Sequence, residues 1–291
     1  RDVEFDYVIV DEAAKATFPE LAVSLNKAHK IILVGDHQQL PPVLDTEIIR
    51  NNKEKLDEEG LAQGVFERMY NMFPEDNKHR LTIQYRMHPT IGTLISHVFY
   101  NDEIQNGVEA QDRELCIEGY EGIAIEWIST SKYSTKERYE KEFDNNGKKS
   151  YQNYLERNII ERKLLELDSK LVKRTKVAVI TGYGSQKYIL QTMVKQHSFK
   201  HIEVDVDTVD AFQGSQKDII LYSTVRSSGN KYGIGFLKSE ARINVAFSRA
   251  RCLLIIVGDM KFLDNYKIRG NKFPEIIKYI TESEGCRIIE K

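Results

Sequence analysis

The run Cys252-Leu-Leu-Ile-Ile-Val257 is the longest continuously apolar stretch in the chain, bounded by Arg251 and Gly258. It is far shorter than the roughly 20 residues that a membrane helix needs. Short, β-branched and without polar alternation, it reads as a strand buried on both faces. Phe5–Val10, Ile31–Val34, Leu81–Ile83, Ile123–Ile128, Val177–Ile180, Val204–Val209 and Ile219–Val225 repeat the pattern. Helical segments lie between them. In Tyr154–Val172, the residues Leu155, Ile159, Ile160, Leu164, Leu167 and Leu171 recur at spacings of three and four, the stripe of an amphipathic helix. Buried strands alternating with such helices predict a doubly wound α/β fold, a parallel sheet with helices on both faces.

Composition agrees. The 291 residues are 41% hydrophobic and 30% charged, enough apolar matter for a core and too much for a disordered chain. The net charge of −2 shows no global basic excess, although a local basic groove steers a polyanion regardless of the total. Cys116, Cys252 and Cys286 are widely spaced and form no CxxC, which suits reduced thiols and a cytoplasmic location. Lys132–Ser150 is charged with mixed sign and contains Asn145-Asn146-Gly147. It is expected to be a polar surface insertion with a flexible tip.

Five segments carry the chemistry. Tyr7-Val-Ile-Val-Asp-Glu-Ala-Ala14 delivers two carboxylates, Asp11 and Glu12, at the C-terminal end of a strand, the edge where open α/β sheets bind ligands. Ile31-Ile-Leu-Val-Gly-Asp-His-Gln-Gln-Leu-Pro-Pro42 does the same with Asp36, His37, Gln38 and Gln39. In Leu81-Thr-Ile-Gln-Tyr-Arg-Met-His-Pro89, Tyr85 offers a stacking face and Arg86 a fork of donors for a phosphate. Asp207-Thr-Val-Asp-Ala-Phe-Gln-Gly214 places a glycine where a ligand needs close backbone approach. In Glu240-Ala-Arg-Ile-Asn-Val-Ala-Phe-Ser-Arg-Ala-Arg251, read as one helix, Arg242 and Arg249 lie about two turns apart and share a face.

In this order the five segments closely resemble the core of superfamily 1 helicases of the up-frameshift type. Leu40-Pro41-Pro42 and Gln84–Pro89 are its highly specific motifs, and Phe99–Val108 loosely resembles a Phe-Tyr-x-x-x-Leu-x-x-Gly segment of that branch. The resemblance runs from about Asp6 to Asp259. It implies a RecA-like P-loop NTPase fold, with 1–80 as the C-terminal part of a first domain and 81–291 as a complete second one. It implies ATP and Mg²⁺ as cofactors and single-stranded DNA or RNA as the partner of a monomer, with 5′-to-3′ movement. By resemblance, Asp11 would hold Mg²⁺, Glu12 would activate the attacking water and Gln39 would sense the γ-phosphate. Tyr85 would stack near the adenine, and Arg86 and Arg249 would serve as arginine fingers. Gln216 would reach the ribose, where the family commonly has Glu, and Arg242 would join the nucleotide side. Thr208, Thr181 and Tyr183 would touch the nucleic acid, although Gly182 stands where the family usually has Pro.

No G-x-x-x-x-G-K-[ST] occurs in the chain, so the loop that cradles the β-phosphate is not among these residues. In this family that loop precedes the Asp-Glu motif. The expectation is therefore a C-terminal portion of a helicase, inactive alone. Two alternatives stand beside it. One is a helicase-derived module that only binds nucleic acid or a partner. The other is an α/β nucleotide hydrolase with no nucleic-acid role.

Overall fold

A computed structural model describes residues 4–42, 64–145, 148–212, 214–228 and 233–290. Gln213 and the expected tip Asn146-Gly147 lie outside the described residues. The chain divides into two compact units, 1–80 and 81–291.

In the first unit, β1 (Phe5–Val10) pairs in parallel with β2 (Ala28–Leu33), with Val10 opposite Leu33. The crossover is the helix Phe18–Leu25, started by a capping box in which Thr17 and Glu20 satisfy each other's backbone N–H. Ala13, Leu21 and Phe66 form a small core with Val10, Leu25 and Leu33. The other side of the strands is open: Phe5, Tyr7 and Ile9 are all more than half exposed.

In the second unit, β3 (Ile83–Gln84) and β4 (Gln105–Asn106) form a short parallel pair. The main sheet contains β5 (Ile125–Ser129), and the hairpin of β6 (Lys141–Asn145) and β7 (Lys148–Gln152) follows it in the chain. The remaining strands of the main sheet are β8 (Thr175–Thr181), β9 (Ile202–Thr208), β10 (Lys217–Ser223), β11 (Ala250–Gly258) and β12 (Cys286–Glu290). Its six strands are all parallel, in the order β12-β5-β11-β10-β8-β9.

Both faces of this sheet are covered, which is why its inner strands β5, β11, β10 and β8 read as largely apolar runs. Ile219, Leu221, Leu253 and Ile255 pack on one side with Ile160, Leu164 and Leu167 of the helix Tyr154–Lys170. On the other side Tyr222 meets Phe247 edge to face, with ring centroids 5.4 Å apart, and Trp127 meets Phe273 at 5.9 Å.

The insertion departs from expectation. Residues 132–150 hold a helical turn, Thr135–Arg138, and most of the β6–β7 hairpin. The segment is not wholly solvated either. The Glu140 carboxylate is 1% exposed and pairs with the equally buried Arg226 at 2.9 Å. Opposite charge from a distant loop draws this end of a polar segment inward.

Candidate functional site

The carboxylates Asp11 and Glu12 leave β1 in a tight turn. Asp11 Oδ1 accepts the Glu12 N–H at 2.8 Å, and Glu12 adopts a left-handed φ of 53°. The Ala13 N–H then donates to Val34 O at 2.8 Å, which ties this turn to the end of β2. Gly35 is required here, because a Cβ would lie 2.8 Å from the Ala14 backbone nitrogen. Asp36 organises the next loop: its carboxylate accepts the Gln38 N–H at 2.9 Å and the Gln39 side-chain amide at 2.8 Å. Asp11, Glu12 and Gln39 thus stand at the C-terminal ends of two neighbouring parallel strands. Asp11 and Glu12 are exposed and Gln39 is half-buried. An exposed carboxylate at a strand end suits Mg²⁺, which takes one or two carboxylates and completes its shell with water and phosphate oxygens. Among the described residues no cluster of three or more His, Cys, Asp or Glu side chains forms an all-protein metal cage.

In the second unit Tyr85 and Arg86 follow β3. Tyr85 is 63% exposed. Arg86 donates from Nη1 to Ser248 O at 3.3 Å, next to Arg249. The helix expected to carry both Arg242 and Arg249 is Glu240–Phe247, capped at Ser248. Arg249 therefore lies beyond the helix end, and the two arginines do not share a helical face. The helix stops because the Lys217 N–H captures Arg249 O at 3.1 Å, which opens the β10–β11 ladder. The Arg249 side chain is buried and donates to Val245 O at 3.1 Å and Ser215 O at 3.3 Å. Arg242 instead meets Asp210 at 3.2 Å and lies over the Phe236 ring. Gln216 is exposed just before β10.

Thr181 and Thr208 face each other at the ends of β8 and β9. Thr181 is fully buried, while Thr208 is half-buried and donates its N–H to the Asp207 carboxylate at 2.7 Å. Tyr183 is buried between Tyr151 and Phe236, at ring distances of 5.4 and 5.3 Å. Burial pushes its phenol up to about 12. The structure places this side chain in an aromatic cluster, with almost no surface for a strand.

The sequence reading missed what holds these edges. Glu156, fully buried on the helix Tyr154–Lys170, accepts from Ser223 Oγ at 2.6 Å, Thr224 Oγ1 at 3.1 Å and the Val225 N–H at 2.9 Å. Desolvation raises its pKa to about 8, against the pull of those three donors and with a smaller push from Glu140. Val225 sits at a φ of 70°, a strained conformation for a β-branched residue. Asn153 Nδ2 holds its carbonyl at 3.0 Å. Asp259, 1% exposed, accepts from Ser131 Oγ at 2.8 Å and Ser227 Oγ at 2.6 Å and pairs with Arg138 at 3.3 Å. The signal was Tyr222-Ser-Thr-Val-Arg-Ser-Ser228, a polar run at the end of a buried strand. Arg113 was also missed; it donates to Tyr85 O at 2.7 Å and Arg86 O at 2.9 Å.

A profile described as AAA domain matches residues 61–261, and a second of the same description matches 1–47. The chain belongs to the AAA-domain family. Its relatives include regulators of nonsense transcripts and ATP-dependent helicases. It is 36% identical to a "Regulator of nonsense transcripts 1 homolog" of Neurospora crassa over 91% of this chain and 24% of that protein. It is also 36% identical to the "ATP-dependent helicase NAM7" of Saccharomyces cerevisiae over 99% of this chain and 28% of that protein. An uncharacterized ATP-dependent helicase of Methanocaldococcus jannaschii is 31% identical over 99% of this chain and 41% of its own length. The AAA-domain chain thus spans well under half of each of these relatives.

Proposed function

We propose that this chain is the C-terminal part of an ATP-dependent helicase or translocase acting on single-stranded DNA or RNA. The observation that carries this reading is the pairing of strand ends in the first unit. The Ala13–Val34 hydrogen bond sets the Asp11-Glu12 turn beside the Asp36–Gln39 loop, which is the carboxylate-plus-amide pattern that phosphoryl transfer to water uses. Glu12 orients the attacking water, and Gln39 contacts the γ-phosphate. Asp11 would hold Mg²⁺, which would supply charge neutralisation at the phosphate oxygens. Tyr85 stacks on the base, Gln216 reaches the ribose and Arg242 lies on the nucleotide side. Arg86 and Arg249 bring positive charge to the transferring phosphoryl group; Arg249 does so by exchanging backbone carbonyls for phosphate oxygens. Thr208 contacts the nucleic-acid backbone, while the buried Thr181 and Tyr183 support that edge from beneath.

The similarity to ATP-dependent helicases of Saccharomyces cerevisiae and Methanocaldococcus jannaschii supports this reading. So do the open faces of β1 and β2, which further strands of a first RecA-like sheet would cover. The loop that holds the β-phosphate belongs to that missing part. The protein is a cytoplasmic monomer moving 5′ to 3′.

The test is ATP hydrolysis by the full-length protein with and without single-stranded oligonucleotides. Turnover rises with the strand and is lost in Glu12→Gln. In Arg249→Ala it drops by about 10³ or more, the usual worth of an arginine finger. Normal stimulated turnover in either variant refutes the role assigned to that residue. The 291-residue chain alone hydrolyses little ATP; robust turnover there overturns the assignment of the phosphate loop to the missing part.

A further inference from the structure

Tyr85 and Arg86 sit on an exposed turn, yet side chains from a distant segment hold the backbone of that turn on several sides. The Gln84 amide works from within. Its Oε1 accepts the N–H groups of Arg86 and Met87, both at 2.8 Å, and its Nε2 donates to Met87 O at 3.0 Å and Asn106 Oδ1 at 2.7 Å. Asn106 in turn donates to Pro89 O at 3.3 Å and Thr93 Oγ1 at 3.1 Å. The β3–β4 ladder brings this segment into place, through Gln105 N–H to Thr82 O at 2.7 Å and Gly107 N–H to Gln84 O at 2.8 Å.

Two glycines make the arrangement possible. A Cβ on Gly92 would lie 2.1 Å from Asn106 Oδ1, and a Cβ on Gly107 would lie 2.4 Å from the Tyr85 ring. The Tyr85 ring therefore lies across Gly107, in contact with the segment that ends at Arg113. Arg113 closes the frame. Its Nη2 and Nε donate to Tyr85 O at 2.7 Å and Arg86 O at 2.9 Å, while Nη1 donates to Asp112 O at 2.9 Å. Downstream, the His88 N–H anchors the turn to β11 through Arg251 O at 2.7 Å.

A guanidinium fork spent on two successive carbonyls of an exposed turn does little for the core, since water would satisfy those carbonyls. What it fixes is direction: with both carbonyls held, the peptide planes on either side of Arg86 cannot rotate. We infer that Arg113 is a positioning residue that pre-orients Tyr85 and Arg86 for the nucleotide. This rests on the reading of those two side chains as nucleotide contacts. Neither the Asn106 hub nor Arg113 touches the nucleotide; they act through the turn.

The experiment compares Arg113→Ala, Arg113→Lys, Tyr85→Ala and Arg86→Ala in the full-length protein. It measures kcat and KM for ATP, the preference for ATP over UTP, and the melting temperature. In Arg113→Ala, kcat/KM falls by about 10- to 100-fold, as expected when a reacting group is misplaced by about an ångström. The preference for ATP over UTP narrows, and the melting temperature stays near that of the parent. Arg113→Lys, which keeps one donor but not the fork, is intermediate. In a Tyr85→Ala, Arg86→Ala background, Arg113→Ala has no further effect, because all three substitutions act on one arrangement. If Tyr85→Ala and Arg86→Ala leave kcat/KM unchanged, the nucleotide reading of the turn fails. If they lower it and Arg113→Ala does not, that reading stands and the positioning role is overturned. An equal loss from Arg113→Ala with and without Tyr85 and Arg86 overturns it as well, as does a loss explained wholly by a lower melting temperature.

Discussion

β2 in the first unit and β10 in the second both deliver polar groups from the C-terminal end of an apolar parallel strand. They are supported in opposite ways. At the end of β10, Ser223, Thr224 and Val225 hang on the buried carboxylate of Glu156. Just beyond it, Arg226 is locked to Glu140 where water barely reaches either side chain. At the end of β2, Asp36 gathers Gln38 and Gln39 in a half-buried loop, and the strand itself leaves Ile31 and Ile32 exposed. The second unit stores strain, a β-branched residue at positive φ, and holds it with buried polar bonds. The first displays its groups on a sheet whose one face is still open. A strand end that is fully framed is pre-organised; one on an open sheet takes its rigidity from whatever covers it.

The largest expected effect tests the buried frame. Arg226→Ala leaves the Glu140 carboxylate buried without its counter-charge, which costs about 3–5 kcal/mol, measurable by urea unfolding. Glu140→Ala in the same chain should recover part of that loss. A cost below about 1 kcal/mol would mean that the network does not hold this edge.

Next comes pH. Burial holds the Glu156 carboxyl near 8 in the folded chain, against an ordinary value of 4.5. Between those values the folded state binds more protons than the unfolded one. This contribution is fully present below about pH 4.5 and is lost as pH rises through about 8, by up to about 1.4 kcal/mol per pH unit. His88 works in the opposite direction. Burial lowers its pKa from 6.5, so its contribution fades as pH falls below that value. Subtracting the stability curve of Glu156→Gln from that of the parent isolates the Glu156 part. Parallel curves would show that its titration does not couple to folding.

A smaller effect sets one glycine against another. On Gly258 at the end of β11, a Cβ would lie 1.9 Å from Thr224 Oγ1, a buried side chain with nowhere to move. Gly258→Ala should cost about 1–3 kcal/mol. On Gly35, a Cβ would press on the Ala14 backbone at 2.8 Å, so Gly35→Ala should shift the Asp11-Glu12 turn as well as destabilise it. Thermal unfolding reports the first. Loss of stimulated ATP hydrolysis beyond the stability change reports the second.

What was legible in the sequence follows the same contrast. All eight quoted runs overlap observed strands; those in β5, β8, β10 and β11 are covered on both faces, whereas Phe5, Ile31 and Leu81 lie exposed in theirs. The strand ends were legible too, because a parallel sheet gathers its loops on one edge. β12 was not, since Cys286-Arg-Ile-Ile-Glu290 alternates charge with two isoleucines at a sheet edge. The end of the helix before Arg249 was hidden because a strand pairing, not a Gly or Pro, stops it. Tyr183, expected by resemblance to touch the nucleic acid, is instead enclosed by Tyr151 and Phe236 from separate segments. The supporting groups were least legible. Glu156 reaches the Val225 backbone across 69 residues and Arg113 reaches Tyr85 across 28, and a backbone acceptor leaves no mark in sequence.

The smallest effect bears on the open sheet of the first unit. Ile9 is 67% exposed on β1, and Ile9→Thr keeps the β-branched shape that a strand favours. In this chain the change should stay within about 0.5 kcal/mol, as for other exposed positions. In the full-length protein the same substitution puts a hydroxyl where further strands or helices would pack. There it should cost about 1–3 kcal/mol, the range for a polar group buried without a partner. The difference between the two measurements, each by chemical unfolding, is the quantity of interest. A cost that appears only in the longer protein shows that the open face of β1 is a packing surface awaiting the rest of its sheet. A cost near zero in both would leave that face exposed in the whole protein, and the rigidity of the Asp11-Glu12 turn would then rest on the Ala13–Val34 bond and the small Leu21–Phe66 core.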